Sequence, residues 1–278
     1  MLGALIIVFR EVIEAGLIVG IVLAVTKGIA GSRWLAGLGV AAGVVGACLV
    51  AAFAGALADA FAGIGQEVFN ASILLLAVAM LTWHNVWMAS HGRELAAEVG
   101  KVGAEVRAGR KGVAALGVVV AVAVMREGSE VALFLYGLAA SAGTTGWQLL
   151  AGGAVGLGLG VGVTALTYFG LVTIPTRWLF RVTTVLIGFL AAGLAAQAMA
   201  FLQQGGLVTA LESTAWNTSA VLSDSGLFGR VLHTLIGYTD QPSQLQVAAY
   251  VVVLLGGFGL SKLFAPSAAP RRRVAAAE

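Results

Sequence analysis

The sequence predicts an all-α polytopic membrane protein: seven transmembrane helices, arranged as two inverted three-helix repeats plus a C-terminal helix. Three observations carry this expectation. Apolar residues fill 59% of the 278 positions and charged residues only 10%, against about 45–50% and about 25% in soluble domains. Seven apolar stretches are each long enough to cross a bilayer. A charged motif occurs twice, with three of the stretches belonging to each copy.

The mean hydropathy of +0.97 lies outside the soluble range. Glycine is abundant (39) and proline rare (4), which suits helices packed closely in lipid. The net charge of +3 does not point to nucleic acid, because the basic residues sit in the connections between apolar stretches. Cys48 is the only cysteine, which excludes a disulfide framework and a thiolate metal site. The N-terminus lacks the basic region of a signal peptide, and Arg10, Glu11 and Glu14 interrupt its apolar run, so it reads as a retained first span.

The stretches cover residues 2–26, 35–57, 68–90, 113–140, 148–170, 179–202 and 245–264. Each reaches across ~30 Å of hydrocarbon as a helix rising 1.5 Å per residue. Lipid gives the backbone no hydrogen-bond partner, so helices are the expected spanning form. The chain thus divides into a first repeat (1–90), a charged cytoplasmic loop (91–112), a second repeat (113–204), an outward-facing loop (205–244), the seventh helix (245–264) and a basic cytoplasmic tail (265–278). The first, third and fifth connections and the tail, with Arg181 and Lys262 at the adjoining stretch ends, hold thirteen Lys and Arg residues, while the second, fourth and sixth connections hold only Arg230. The positive-inside rule therefore predicts a cytoplasmic-membrane protein with its N-terminus outside and its C-terminus in the cytoplasm.

The two long connections differ. In 91–112, Arg93, Glu94, Glu98, Glu105 and Arg107 fall at helical spacing, as in a solvated helical extension. The outward loop carries Glu212, Asp224 and Asp240, an acidic set that either focuses cations or is simply solvated. Asp59 and Glu67, at the outer ends of the second and third stretches, fit an entrance vestibule or plain interfacial charge. His84 fits either a ligand or a packing histidine. Gly152, Gly156 and Gly160 recur every four residues and predict close helix–helix approach. Trp34, Trp147 and Trp178 fall near stretch ends as interfacial anchors.

The motif itself is Arg10-Glu11-Val12-Ile13-Glu14, echoed by Arg126-Glu127-Gly128-Ser129-Glu130, 116 residues later. Three spans per copy means the second copy enters the membrane from the opposite face, the inverted arrangement of many secondary transporters. Arg10 lies roughly 12 Å into its span and Arg126 roughly 20 Å into its own, so both copies reach mid-membrane. A charge facing lipid there costs roughly 2.5–3.5 kcal/mol, and six would cost roughly 15–20 kcal/mol, more than the about 5–15 kcal/mol by which proteins are stable. The six must face the bundle interior. Glu11 with Glu14, and Glu127 with Glu130, share helix faces, while Arg10–Glu14 and Arg126–Glu130 are spaced to pair within their helices. Four carboxylates against two guanidiniums leave a surplus that a multivalent cation or protons balance. Clustered carboxylates in an apolar site disfavour full ionisation, so metal binding is expected to release protons. Oxygen-only ligation suits hard cations such as Fe(III), Mn, Mg or Ca. The same residues also fit a purely structural role as interhelical ion pairs.

Two Arg-Glu-x-x-Glu motifs in the first and fourth of seven spans resemble the oxidase-dependent iron transporter family, which includes fungal high-affinity iron permeases and bacterial relatives. The resemblance covers nearly the whole chain. Leu81-Thr82-Trp83, Gly193-Leu194-Ala195 and Trp216-Asn217-Thr218-Ser219 support it. It implies iron as the transported substrate, with no permanently bound cofactor and no enzymatic activity of its own. Fe(II) would be oxidised by an extracytoplasmic oxidase or delivered by an iron-delivery protein. Glu11, Glu14, Glu127 and Glu130 would be the iron ligands, supported by Arg10 and Arg126. The chain departs from the family pattern at Asn70 and Asn217, where acidic residues are common, and at Phe201-Leu202-Gln203-Gln204, where a His-Glu pair is common. Two other functions fit the residues: a proton-coupled transporter of another divalent cation such as Mn(II), and a membrane-embedded carboxylate–metal enzyme. The absence of histidine at motif spacing counts against the enzyme.

Overall fold

A computed structural model describes residues 1–60, 66–140, 145–170, 176–224 and 226–264, apart from some side chains within the helices. The described residues form eight α-helices: α1 (Leu2–Val25), α2 (Ser32–Ala60), α3 (Gln66–Arg107), α4 (Ala114–Ala140), α5 (Gly146–Tyr168), α6 (Thr176–Gln204), α7 (Leu227–Ile236) and α8 (Gln244–Phe264). Among them no strand occurs, and a lone bridge joins Thr214 to Ser243.

Five helices are long and apolar enough to cross a membrane over 32–56, 67–88, 146–168, 181–204 and 244–264. Helices α1 and α4 are as long, at 24 and 27 residues, but each carries three motif charges near mid-length. Helix α7, ten residues long, spans only ~15 Å and cannot cross.

Two segments expected as connections are partly helical. Residues 91–107 simply continue α3. Their solvation is one-sided, because Val99 and Val106 are buried and Gly103 approaches Val25. Apolar positions spaced three and four apart make a stripe along an otherwise charged segment. In the 205–244 connection, α7 ends at Gly237, whose φ of +69° supplies the left-handed C-terminal cap.

Packing follows the small residues. Helix α5 lies along α1 and α2 along α4, while α3 lies against α6 and α8 against both. A Cβ on Gly152 would overlap the Met1 carbonyl, and one on Gly156 would come within 2.5 Å of the Leu5 carbonyl. On the other pair, Cβ atoms at Gly39 and Gly43 would come within 2.5 and 2.7 Å of the Gly117 and Ala121 carbonyls. Met1 and Leu5 precede Gly117 and Ala121 by 116 residues, the separation of the two motifs. Without a hydrophobic drive between helices in lipid, such close approach is what holds a bundle together.

Two apolar clusters result. One joins the start of α1 to the end of α4 through Ala4, Ile7, Leu74, Leu81, Phe134, Leu138 and residues 187–198 of α6. The other joins the end of α1 to the start of α4 through Ile18, Val22, Val99, Val106, Leu116 and Val120. Along α1 and α4 the motif residues lie between them.

Candidate metal centre

Helical phase determines which motif groups meet. On α1, Arg10 and Glu11 are each 1% exposed and Glu14 is buried beside them. Arg10 Nε lies 2.9 Å from Glu14 Oε1 and Nη1 lies 3.5 Å from Glu11 Oε1. On α4, Arg126 Nε donates to Glu130 Oε1 at 3.1 Å and lies 3.9 Å from Glu127 Oε1. The Arg126 guanidinium also stacks 4.2 Å over the Trp87 ring of α3.

The third contributor is His84, buried on α3. Its Nε2 lies 3.8 Å from Glu11 Oε2 and 3.6 Å from Glu14 Oε2, and its Nδ1 contacts Glu130 Oε2. The imidazole thus bridges the two motifs. Glu11, His84, Glu127 and Glu130 each offer a ligand atom, and the four atoms lie within 4.8 Å of one another. Among the described residues this is the one such group of three or more His, Cys, Asp or Glu. Glu14 stands beside it, turned toward Arg10. Buried Glu11 Oε2 and Glu127 Oε2 have no hydrogen-bond donor, so the cluster holds acceptor oxygens that a cation would satisfy.

The remaining candidates are dispersed. Asn70 is half-buried about four turns before His84 on α3 and does not join the group. Glu67 is exposed in the first turn of α3, beside Gly205. Asp59 falls in α2, but its side chain lies outside the described residues. In the 205–244 segment Glu212 is exposed, while the Asp224 backbone N–H donates to Asp240 Oδ2 at 3.3 Å. Burial pushes the Asp224 carboxyl above the usual carboxylate range, against a backbone hydrogen bond from Asp240 that lowers it. Thr218 and Tyr238 share a hydroxyl hydrogen bond that ties the same segment together. Gln203, at the end of α6, accepts from Ser243 Oγ at 2.8 Å and anchors the segment instead of facing the cluster.

Comparison with known proteins gives this arrangement its context. The iron permease FTR1 family matches over residues 1–266. The chain belongs to that family. A relative named ferrous iron permease EfeU in Escherichia coli O6:K15:H31 (strain 536 / UPEC) is 32% identical over 253 residues, covering 90% of this chain and 91% of its own. A protein of the same name in Yersinia pestis is 31% identical over 252 residues, covering 90% and 89%. No solved structure matches. The family and these relatives are permeases, and the apolar helices agree with a multi-pass membrane protein.

Proposed function

We propose that this chain carries iron across the cytoplasmic membrane through a site built from Glu11, Glu127, Glu130 and His84, with Glu14 adjoining. The observation that carries this reading is the convergence of the four ligand atoms from three helices within 4.8 Å, in a chain of the iron permease family. Carboxylate oxygens replace the water shell of a hard cation, and one imidazole suits Fe(II) as well as Fe(III). Arg10 and Arg126 hold Glu14 and Glu130 and keep the site from carrying four uncompensated charges.

The wider architecture in this proposal is seven spans: α1 to α6 as two inverted three-helix units, then α8. The matched glycine approaches at the 116-residue offset support it, as does the buried placement of both motifs. The bias of Lys and Arg supports an outer N-terminus and a cytoplasmic C-terminus. Iron then passes as Fe(III) after oxidation of Fe(II) by an extracytoplasmic partner, and it is cargo with no resident cofactor beside it.

Radio-iron uptake into proteoliposomes tests the site. Glu14→Ala with Glu130→Ala is expected to lower uptake at least tenfold, and unchanged uptake overturns the mechanism. Uptake that persists in ascorbate with no oxidising partner overturns the Fe(III) step alone. Competition by excess Mn(II) that abolishes iron uptake would favour the divalent-cation reading.

A further inference from the structure

The two motif arginines occupy matching places yet differ in surroundings. The Arg10 side chain is 1% exposed and that of Arg126 is 34% exposed. Both lie mid-helix in a membrane-crossing bundle, where a guanidinium facing lipid costs roughly 2.5–3.5 kcal/mol or more. Arg126 must therefore face water, and the cavity it lines can hold that water.

This cavity, about 320 Å³, lies between α1, α3 and α4. Arg126 and Glu127 line it from the motif, Glu98 and Val102 from α3, and Val119 and Ala123 from the start of α4. At ~30 Å³ per water it holds about ten waters, enough to rehydrate a metal ion. Glu127, which lines it, carries the buried Oε2 that no donor satisfies. On the opposite side of the motif layer the bundle is closed: Ile7, Leu74, Leu81 and Phe134 are 1% exposed or less and pack as one cluster.

Building on the permease reading, we propose that this cavity is the inner passage of the ion path, with Glu98 the carboxylate that receives the cation from Glu127. The passage faces the end of the bundle where Lys27, Arg33 and Lys111 lie, the side the positive-inside rule makes cytoplasmic. Glu98, exposed on the α3 extension, offers a negative wall to an ion leaving Glu127 and lowers the barrier to its release.

Thiol accessibility in a Cys48→Ser background tests the passage. Ala123 precedes Glu127 by four residues, as Ile7 precedes Glu11. A charged, membrane-impermeant thiol reagent applied to the inner face of oriented vesicles is expected to label Ala123→Cys at least tenfold faster than Ile7→Cys. Labelling of Ala123→Cys from the outer face alone, or no faster than Ile7→Cys, overturns the passage. Glu98→Gln is expected to lower iron uptake about tenfold while the purified protein binds iron within twofold of wild type. Unchanged uptake removes the role of Glu98. Labelling reads the passage whatever the ion, so Ala123→Cys that labels as expected, beside a wild-type protein that binds no iron, counts against the iron reading alone.

Discussion

Arg10 holds two carboxylates at once and is sealed from solvent, whereas Arg126 shares its charge with the Trp87 ring and a cavity. Removing one partner of a buried ion pair costs about 3–5 kcal/mol, because the other charge is left uncompensated. Arg10→Leu is therefore expected to lower the melting temperature in detergent far more than Arg126→Leu, and equal shifts would contradict the difference in burial. The cluster of Glu11, Glu14, Glu127 and Glu130 is also expected to shed protons as a metal binds. Acidification of a weakly buffered detergent solution during iron titration measures this directly. At this scale the pairs at four-residue spacing were legible in the sequence. The position of His84 was not, because one histidine in an apolar run does not say which face of α3 turns toward α1 and α4.

At the scale of the elements, glycine position separates contacts from mere composition. A Cβ on Gly156 would meet the backbone of α1, whereas one on Gly158, half a turn away, meets nothing within 4 Å. Gly156→Val is expected to lower the melting temperature by several degrees and to reduce uptake, while Gly158→Val leaves both nearly unchanged. The four-residue spacing of Gly152, Gly156 and Gly160 announced that contact in advance. The reach of α3 to Arg107 was harder to read, since its charges mask a valine stripe, and α7 lies in a polar segment whose helix is closed by Gly237. In that segment Asp224 offers a check on pH. A carboxyl held above its ordinary range disfavours its own ionisation in the folded state, so it costs stability once the pH exceeds that range and costs nothing well below it. Asp224→Asn should raise the melting temperature at pH 8 and leave it unchanged at pH 3. An equal rise at both values would assign the effect to something other than charge.

For the whole molecule, helix class and membrane residence were legible from hydropathy, because lipid restricts the backbone to few choices. Which helices touch was not, since in a bundle of similar apolar rods that depends on where small residues face one another. The structure answers with crossed partners: α2 packs on α4 and α5 on α1. The second helix of each proposed unit leans on the first helix of the other, and each unit brings half of the glutamates. A chain of one unit alone would expose its glycine face and hold an incomplete ligand set. It would become whole only beside a second copy inserted upside down. If the two units are inverted as proposed, the present chain amounts to two such partners fused end to end, and co-expressed halves, split at residues 108–113 between α3 and α4, should find each other again in the membrane.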